Sequence, residues 1–327
     1  MNLVMFLSDR CDLACDYCFL ALNHGSPVVL TEENAVLAVD AHLKRAGQRA
    51  RVTILGGEPL LHPELALMIA RRARKSGAKV TVVSNGTHAT PKIAGELAGL
   101  GAELAISIDG PAEAHDQHRR LAGGGPSHQK VMGAVSKLVM AELRVNMVIS
   151  EETVGRFLSS VEWLRAQGVR KVSFHADVAR PWTAVGLKSL AAALEGFTRY
   201  ARALNGASPG ALSLWHLDSY RTLVDGPGEA DELVLGADGR YYANDAYLCR
   251  PYGQALEGAA GDAKGGPDFK RLLALAARAD AGVADALAGE RVYTWPRETY
   301  LLAELQGRDP KAAVQALIKR GPHRELD

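Results

Sequence analysis

The stretch CDLACDYCF at residues 11–19 decides how this sequence is interpreted, because it holds three of the four cysteines of the chain. Cys11, Cys15 and Cys18 are separated by three residues and then by two. Three thiolates in one loop bind three irons of a [4Fe–4S] cube and leave the fourth iron open to another ligand. The spacing therefore predicts a reactive iron–sulfur cluster.

Two other interpretations of this cysteine loop are a zinc knuckle and a partial disulfide. A zinc knuckle normally closes with a fourth Cys or His at short range. The nearest histidine in this sequence is His24, and the x3-x2 spacing is not a usual zinc pair. The cluster is therefore the favoured interpretation.

The residues on either side of the loop predict an α/β fold. Residues 2–7 are a short apolar run, as expected for a buried strand, and the cysteine loop leaves its end. Six strand-then-helix units follow one another, which implies a parallel sheet with right-handed crossovers. The predicted strands are 2–7, 52–55, 79–83, 104–108, 144–149 and 171–175. The predicted helices are 31–47, 63–76, 90–100, 127–140, 153–167 and 186–204.

The pattern changes after about residue 205. Residues 232–235 and 240–243 predict a β-hairpin across a glycine-containing turn, and helical stretches follow near 268–289 and 309–319. No clear linker separates this part from the rest. We therefore expect a barrel domain over residues 1–205 and a C-terminal extension over 206–327 that packs on it and contributes to substrate binding.

Composition excludes several classes of function. Lys and Arg number 38 and Asp and Glu 37, a net charge of +1 that gives no bulk electrostatic reason to bind nucleic acid. No apolar run approaches the length of a membrane span. Three clustered thiols fit a reducing compartment. We expect a soluble cytoplasmic protein with no nucleic-acid or membrane partner.

Polar and glycine-containing motifs follow the predicted strands, at the edge where parallel α/β sheets build their sites. GGEP follows the second strand at residues 56–59, SNGT follows the third at 84–87, and SIDG ends the fourth at 107–110. Asn-Gly and Asp-Gly are also ordinary turn pairs. Beside the cysteine loop, these motifs predict a ligand site.

The cysteine loop resembles that of the radical S-adenosylmethionine (radical SAM) enzymes, with Tyr17 before its third cysteine, a strand before it and GGEP after it. The resemblance implies a partial (β/α)6 barrel, one [4Fe–4S] cluster on Cys11, Cys15 and Cys18, and SAM as a co-substrate. The SAM contacts that it implies are Gly56, Gly57, Glu58, Asn85, Ser107 and Asp109. Asn146, in the fifth predicted strand, is a further candidate for the SAM site, since it could point into the barrel mouth.

The stretch HDQHRR at residues 115–120 and the hairpin at Asp238-Gly239 resemble the SPASM-type branch of this family. That branch normally supplies many cysteines to auxiliary clusters. Here Ala243 stands about where the first of them is expected, and Cys249 alone cannot hold a cluster normally bound by three or four thiolates. We therefore expect one cluster.

Cys249 is either a small buried hydrophobe, as cysteines commonly are, or a hydrogen donor. A thiol that faces a carbon radical can quench it, and the carbon inverts if the thiol lies on the opposite face. The whole chain resembles radical SAM epimerases that act on aminoglycosides. This implies inversion of a sugar carbon (C-5‴), Cys249 as the donor, SAM consumption, and an electron donor such as flavodoxin.

An aminoglycoside is a polycation rich in hydroxyls, so its site needs carboxylates and carbonyls. The alternative for each candidate is a solvated surface acid or, for the histidine, a core residue. The candidate substrate residues are His175, Asp177, Asp218, Asp231, Glu232 and Asp245.

Two other functions stay open at this point. A peptide-modifying radical SAM enzyme, such as a peptide epimerase or a cross-linking maturase, would be supported by a leader-binding domain before the first strand, and none is visible. A non-enzymatic iron–sulfur sensor would not need GGEP or the other strand-end motifs.

Overall fold

The protein is described from a computed structural model, and the chain forms two compact units. The first unit comprises residues 1–107, 119–138 and 229–279, and the second comprises 108–118, 139–228 and 280–327. The residues that the structure describes are 2–18, 20, 27–139, 143–177, 182–208, 211–214, 232–242 and 259–272.

Strands and helices alternate through most of the described chain. The strands are β1 (Asn2–Phe6), β2 (Arg51–Leu55), β3 (Lys79–Ser84), β4 (Glu103–Ser107), β5 (Arg144–Ile149), β6 (Lys171–Ala176), β7 (Ser213–Leu214), β8 (Glu232–Leu235), β9 (Tyr241–Tyr242), β10 (Gly261–Asp262) and β11 (Gly266–Pro267). The α-helices are α1 (Glu32–Ala46), α2 (Pro63–Lys75), α3 (Pro91–Gly99), α4 (Ala112–His118), α5 (His128–Val135), α6 (Phe157–Ala166) and α7 (Ala184–Ala207).

The sheet of the first unit has the order β4-β3-β2-β1-β8-β9. All neighbours are parallel except β8 and β9, which form an antiparallel hairpin. β1 is a continuous apolar run in which Leu3 and Met5 are fully buried, as expected for a parallel strand with both faces covered. β1 therefore lies between β2 and β8, with neighbours on both sides.

The second unit contains the parallel strands β5, β6 and β7, in that order. β5 and β6 pair along their full lengths, from Arg144 opposite Lys171 to Ile149 opposite Ala176. The rings of Phe157, Phe174 and Phe197 form its aromatic core, with centroids 4.9–5.3 Å apart. Edge-to-face and tilted ring pairs of this kind add to the stability that burial gives.

The predicted α/β fold with a parallel sheet is confirmed, and each of the six predicted strands differs from its observed bounds by no more than one residue at either end. Thr31 caps α1, since its Oγ1 accepts a hydrogen bond from the Asn34 amide at 3.2 Å. The β8–β9 hairpin is also as predicted. The helix predicted over 127–140 is shorter, and α4 was not predicted. The helices predicted at 268–289 and 309–319 lie outside the described residues, except for 268–272.

The domain boundary near residue 205 stays a prediction.

No helix among the described residues combines the length and apolar character needed to cross a membrane.

Candidate functional site

The cysteine loop is fixed to the GGEP turn by backbone hydrogen bonds. The chain leaves β1 and runs beside the end of β2, where the Leu7 amide donates to the Leu55 carbonyl at 2.8 Å. The Gly57 amide donates to the Ser8 carbonyl at 2.7 Å, and the Glu58 amide to the Arg10 carbonyl at 2.8 Å. The backbone just before Cys11 is therefore held by the residues that follow β2.

The two glycines of GGEP are required by this close approach. A Cβ atom on Gly57 would lie 2.0 Å from the Arg10 carbonyl oxygen, and one on Gly56 would lie 2.7 Å from the Ser8 carbonyl oxygen. Gly56 also has a φ of +151°, which L residues rarely adopt. The resemblance implies that these glycines contact SAM, and the structure shows that they also make room for the backbone of the cysteine loop.

Gly57→Ala is expected to displace the cysteine loop, because its methyl group would collide with backbone that has no rotamer to change. We expect a loss of about 1–3 kcal/mol in the free energy of unfolding and a lower iron content, measured by thermal melting and iron analysis. Gly95→Ala is the matched control, since no atom lies within 4 Å of its Cβ position in α3. Iron content in Gly57→Ala equal to that of Gly95→Ala would contradict the packing argument.

A second segment, residues 120–122, holds the other side of the cysteine loop. The Ala14 amide donates to the Arg120 carbonyl at 2.8 Å and the Ala122 amide to the Asp12 carbonyl at 2.9 Å. Leu13 and Leu121 form an isolated antiparallel bridge. The glycine-rich residues 123–126 make the turn behind this segment, with Gly124 at a φ of +85°. Nothing in the sequence of this glycine-rich stretch indicates that the segment before it pairs with the cysteine loop.

The Cys11 thiol is buried and receives two N–H groups. The Leu13 amide lies 3.4 Å from its Sγ and the Asn85 Nδ2 lies 3.6 Å from it. Burial raises the pKa of this thiol to about 12. Cys15 and Cys18 are half-buried, and the Cys18 amide donates to the Cys15 carbonyl at 3.1 Å.

Cys18 packs against an apolar cluster beside β1, together with the partly buried Leu55 and Tyr242. The fully packed members of this cluster are Val4, Phe6, Leu20 and Val234. β8 thus contributes Val234 to the surroundings of a predicted cluster ligand. Tyr17, one residue earlier, is buried under the Arg119 guanidinium, whose carbon lies 5.2 Å from the ring centre.

Asn85 joins the cysteine loop to the end of β3. Its Nδ2 donates to the Asp12 Oδ1 at 2.8 Å as well as facing the Cys11 sulfur, and its Oδ1 accepts from the Thr87 amide and hydroxyl at 2.9 and 2.7 Å. Asp12 Oδ2 accepts from the Lys130 Nζ at 3.0 Å and lies 3.3 Å from the His88 Nε2. Partial burial acts to raise the pKa of Asp12, but the hydrogen bonds from Asn85 and Lys130 outweigh it and keep the pKa below its usual value.

Glu58 is fully buried and serves as an acceptor inside the protein. Its Oε1 accepts from the Leu60 amide and the Ser84 hydroxyl, both at 2.8 Å, and its Oε2 accepts from the Asn85 amide at 2.7 Å. Burial raises its pKa to about 7, although the three donors act in the opposite direction. The carboxylate therefore ties the end of β2 to the end of β3, and its predicted contact with SAM stays a prediction.

Ser107 and Asp109 are the two predicted SAM contacts in the SIDG motif, and they fall in different units. Ser107 ends β4 in the first unit and is half-buried. Asp109 lies in the second unit, is 4% exposed, and its Oδ1 accepts from the Val148 amide at 2.9 Å. The backbone carbonyl of Asn146 accepts a hydrogen bond from the Ile108 amide at 3.0 Å. The side-chain oxygen of Asn146 accepts one from the Ser173 hydroxyl. The second unit therefore brings Asp109 and Asn146 to neighbouring positions.

His175 and Asp177 lie close together in the sequence of the second unit, at the end of β6. The His175 ring is exposed, yet desolvation by the surrounding protein, followed by the charge of Arg144, lowers its pKa to about 4. Asp177 is 4% exposed, and its carbonyl accepts from the Trp182 Nε1 at 2.8 Å.

Five predicted site residues have side chains outside the part of the chain that the structure describes. Glu232 begins β8, where it pairs in register with Asn2, and only its backbone is described. The other four lie outside the described residues: Cys249, Asp218, Asp231 and Asp245.

The residues of the cysteine loop fit the predicted cluster by the chemistry of their donors. Three cysteine side chains lie on one short loop, and N–H groups face the Cys11 sulfur, as at iron–sulfur sites where such bonds tune the cluster. Within the described ranges, no three Cys, His, Asp or Glu side chains converge on a single metal position. In a cube with three cysteine ligands, each thiolate binds a different iron.

Comparison with known proteins shows what the segment that carries this site is similar to. The Radical SAM superfamily model matches residues 5–164. The AdoMet-dependent heme synthase of Methanosarcina barkeri is 29% identical over 174 residues, which is 52% of this chain and 48% of the synthase. The serine-type anaerobic sulfatase-maturating enzyme of Bacteroides thetaiotaomicron is 29% identical over 139 residues, 39% of this chain and 34% of that enzyme. The chain thus spans about half the length of the heme synthase, and less of the second relative.

A solved structure has the same fold. A tagged form of anSMEcpe with bound AdoMet aligns with a TM-score of 0.69 at 17% identity, over 100% of this chain and 98% of that chain. The superfamily uses a [4Fe–4S] cluster and SAM, which confirms the predicted cofactors at the level of the family. The segment 5–164, with its three-cysteine loop anchored between GGEP and residues 120–122, is therefore a radical SAM domain.

Proposed function

We propose that this protein is a radical SAM epimerase that inverts C-5‴ of an aminoglycoside and converts neomycin C to neomycin B. The observation that carries the proposal is the distribution of cysteines: three form the cluster loop, Ala243 stands where auxiliary cysteines would begin, and Cys249 is the one thiol left. The sequence of the whole chain resembles neomycin C epimerase, which supports the choice of substrate.

Cys11, Cys15 and Cys18 would hold the cluster, which together with SAM would supply the radical chemistry that removes a hydrogen atom from the substrate carbon. Cys249 donates a hydrogen atom from its S–H bond to the opposite face, and the carbon is inverted. The abstracted hydrogen leaves with 5′-deoxyadenosine, so one SAM is consumed per turnover. The thiol then needs one electron and one proton to be restored, and a flavodoxin-like partner or a chemical reductant would supply the electrons.

Among the candidate substrate residues, Asp177 and His175 are the two whose side chains the structure describes. A buried carboxylate at the end of β6 suits an ammonium group of the substrate, because hydrogen bonds between charged groups are the stronger kind. With a pKa near 4, the His175 ring is uncharged at neutral pH and does not repel a polycation. Its nitrogens can then serve as donor and acceptor for sugar hydroxyls.

Asp177→Asn is expected to raise the KM for the aminoglycoside about tenfold, the loss expected when one charged hydrogen bond becomes neutral. Cleavage of SAM in the absence of substrate should remain largely intact. Asp40→Asn is the control, since Asp40 pairs with Arg72 on the exposed face of α1. Unchanged substrate constants in Asp177→Asn would place the ammonium groups elsewhere.

A peptide-modifying enzyme is the second candidate. The HDQHRR stretch and the β8–β9 hairpin resemble the SPASM-type branch, and one relative is a sulfatase-maturating enzyme. Relatives with such different names share only part of the chain, so the shared radical SAM domain does not identify the substrate.

One anaerobic experiment separates these candidates. Purified protein is supplied with SAM and reductant and offered either neomycin C or a peptide library, and 5′-deoxyadenosine and product are measured by mass spectrometry. The epimerase proposal expects 5′-deoxyadenosine and neomycin B to increase together with neomycin C. Modification of peptides with no neomycin B would support the second candidate, and no 5′-deoxyadenosine under any condition would contradict both.

A further inference from the structure

The side chain of Asn85 is held in one orientation beside the first cluster cysteine. Its Oδ1 accepts two hydrogen bonds from Thr87, so its Nδ2 must face the other way, toward Cys11 Sγ at 3.6 Å and Asp12 Oδ1 at 2.8 Å. Asn85 is 7% exposed, so water does not compete freely for this amide. The Asn85 amide group thus links a predicted cluster ligand to a carboxylate.

The carboxylate of Asp12 is in turn matched by a cation from a distant part of the first unit. Lys130, on α5, donates to Asp12 Oδ2 at 3.0 Å, and His88 lies 3.3 Å from the same oxygen. Asp12 directly follows Cys11, so its negative charge lies beside the predicted cluster. The positive charge of Lys130, which is bound to this carboxylate, compensates the negative charge of Asp12.

These contacts matter for electron transfer because reduction adds one negative charge to a cluster. A nearby cation or an N–H group aimed at a sulfur favours the reduced form, and a nearby anion disfavours it. We propose that Asn85, Asp12 and Lys130 are positioning residues that set the reduction potential of the cluster. Asn85 acts through its N–H group on Cys11, and Lys130 acts by neutralising Asp12.

The proposal rests on cluster binding by Cys11, Cys15 and Cys18, which the proposed function includes, and not on the identity of the substrate. It predicts opposite signs for the two members of the ion pair. Lys130→Met leaves Asp12 uncompensated and should lower the midpoint potential, whereas Asp12→Asn removes the anion and should raise it. In the double variant both charges are gone, so its potential should lie between those of the single variants, close to the wild type.

The test is an anaerobic redox titration of the reconstituted full chain without SAM or substrate, followed by the EPR signal of the reduced cluster. Lys137→Met is the matched control, since it removes the same charge just beyond the end of α5; its potential should equal that of the wild type. Because Lys130 is 44% exposed, its effect should also shrink as salt concentration is raised.

The outcomes distinguish this inference from the proposed function. Shifts of opposite sign in Lys130→Met and Asp12→Asn, with none in Lys137→Met, would support it. The inference would be overturned if Lys130→Met and Asp12→Asn, with wild-type iron content, had the midpoint potential of the wild type or shifted it in the same direction. A protein without epimerase activity but with these shifts would overturn the substrate proposal alone, and a chain that binds no iron would overturn both.

Asn85→Ala provides an independent arm of the test. It removes the N–H group from the Cys11 sulfur without adding a charge, so the potential should fall, and the fall should be insensitive to salt. Circular dichroism and iron content show whether the loop that Asn85 and Thr87 form is kept. An unchanged potential in folded, iron-loaded Asn85→Ala would remove Asn85 from the proposal.

Discussion

Replacement of Cys11, Cys15 or Cys18 by alanine is expected to abolish SAM cleavage, because a [4Fe–4S] cube held by three thiolates loses a ligand with each change. The wild-type chain should bind about four irons if it holds one cluster. Each variant should lose most of this iron and the brown absorbance, and should form no 5′-deoxyadenosine with SAM and dithionite.

Cys249→Ala is the control for these three variants, since it removes the fourth cysteine and should keep the iron. A cluster-loop variant that retains four irons and cleaves SAM would contradict the assignment of its cysteine. Eight or more irons in the wild type would contradict the expectation of a single cluster.

Cys249→Ala should also lose epimer formation while it still cleaves SAM in the presence of substrate. The change removes the proposed hydrogen donor, but no cluster ligand and no predicted SAM contact. The substrate radical would lack its partner on the inverting face and survive long enough to be trapped or diverted to other products. Mass spectrometry of 5′-deoxyadenosine and of neomycin B measures the two halves of this expectation separately.

Deuterated water gives a second measurement on the same residue. The thiol hydrogen exchanges with solvent, so the wild-type product should gain one deuterium at the inverted carbon. Cys249→Ser offers a comparison of nearly equal size, whose O–H bond is too strong to donate a hydrogen atom to the carbon radical. Normal epimer formation by Cys249→Ala would return Cys249 to the interpretation as a buried core residue.

The parts of the fold that the sequence predicts well are those that depend on local pattern. The apolar run at residues 2–7 forms a strand in the structure because both faces of a parallel strand are covered. The Thr31 cap of α1 is likewise a local feature. α4 was missed because its sequence, AEAHDQH, is short and polar, although His115 and His118 are buried in the structure.

The parts of the site that the sequence could not predict depend on distant pairs. Lys130 and Asp12 are 118 residues apart, and nothing in either stretch indicates the other. The sequence likewise gives no sign that Leu13 pairs with Leu121, which comes just before a glycine-rich turn. Motif positions were identified, but the motif alone did not show that Glu58 binds three protein donors or that Asp109 accepts from the Val148 amide.

The position of β8 beside β1 has a consequence for biosynthesis. These paired strands lie more than 200 residues apart in the chain, so a ribosome that adds roughly 5–20 residues per second makes β8 tens of seconds after β1 and the cysteine loop. During that interval Val234 is absent from the surroundings of Cys18, so this thiol is less covered than in the finished fold. We therefore expect the iron content of the purified protein to rise when more iron–sulfur cluster is available to the cell while the chain is being made.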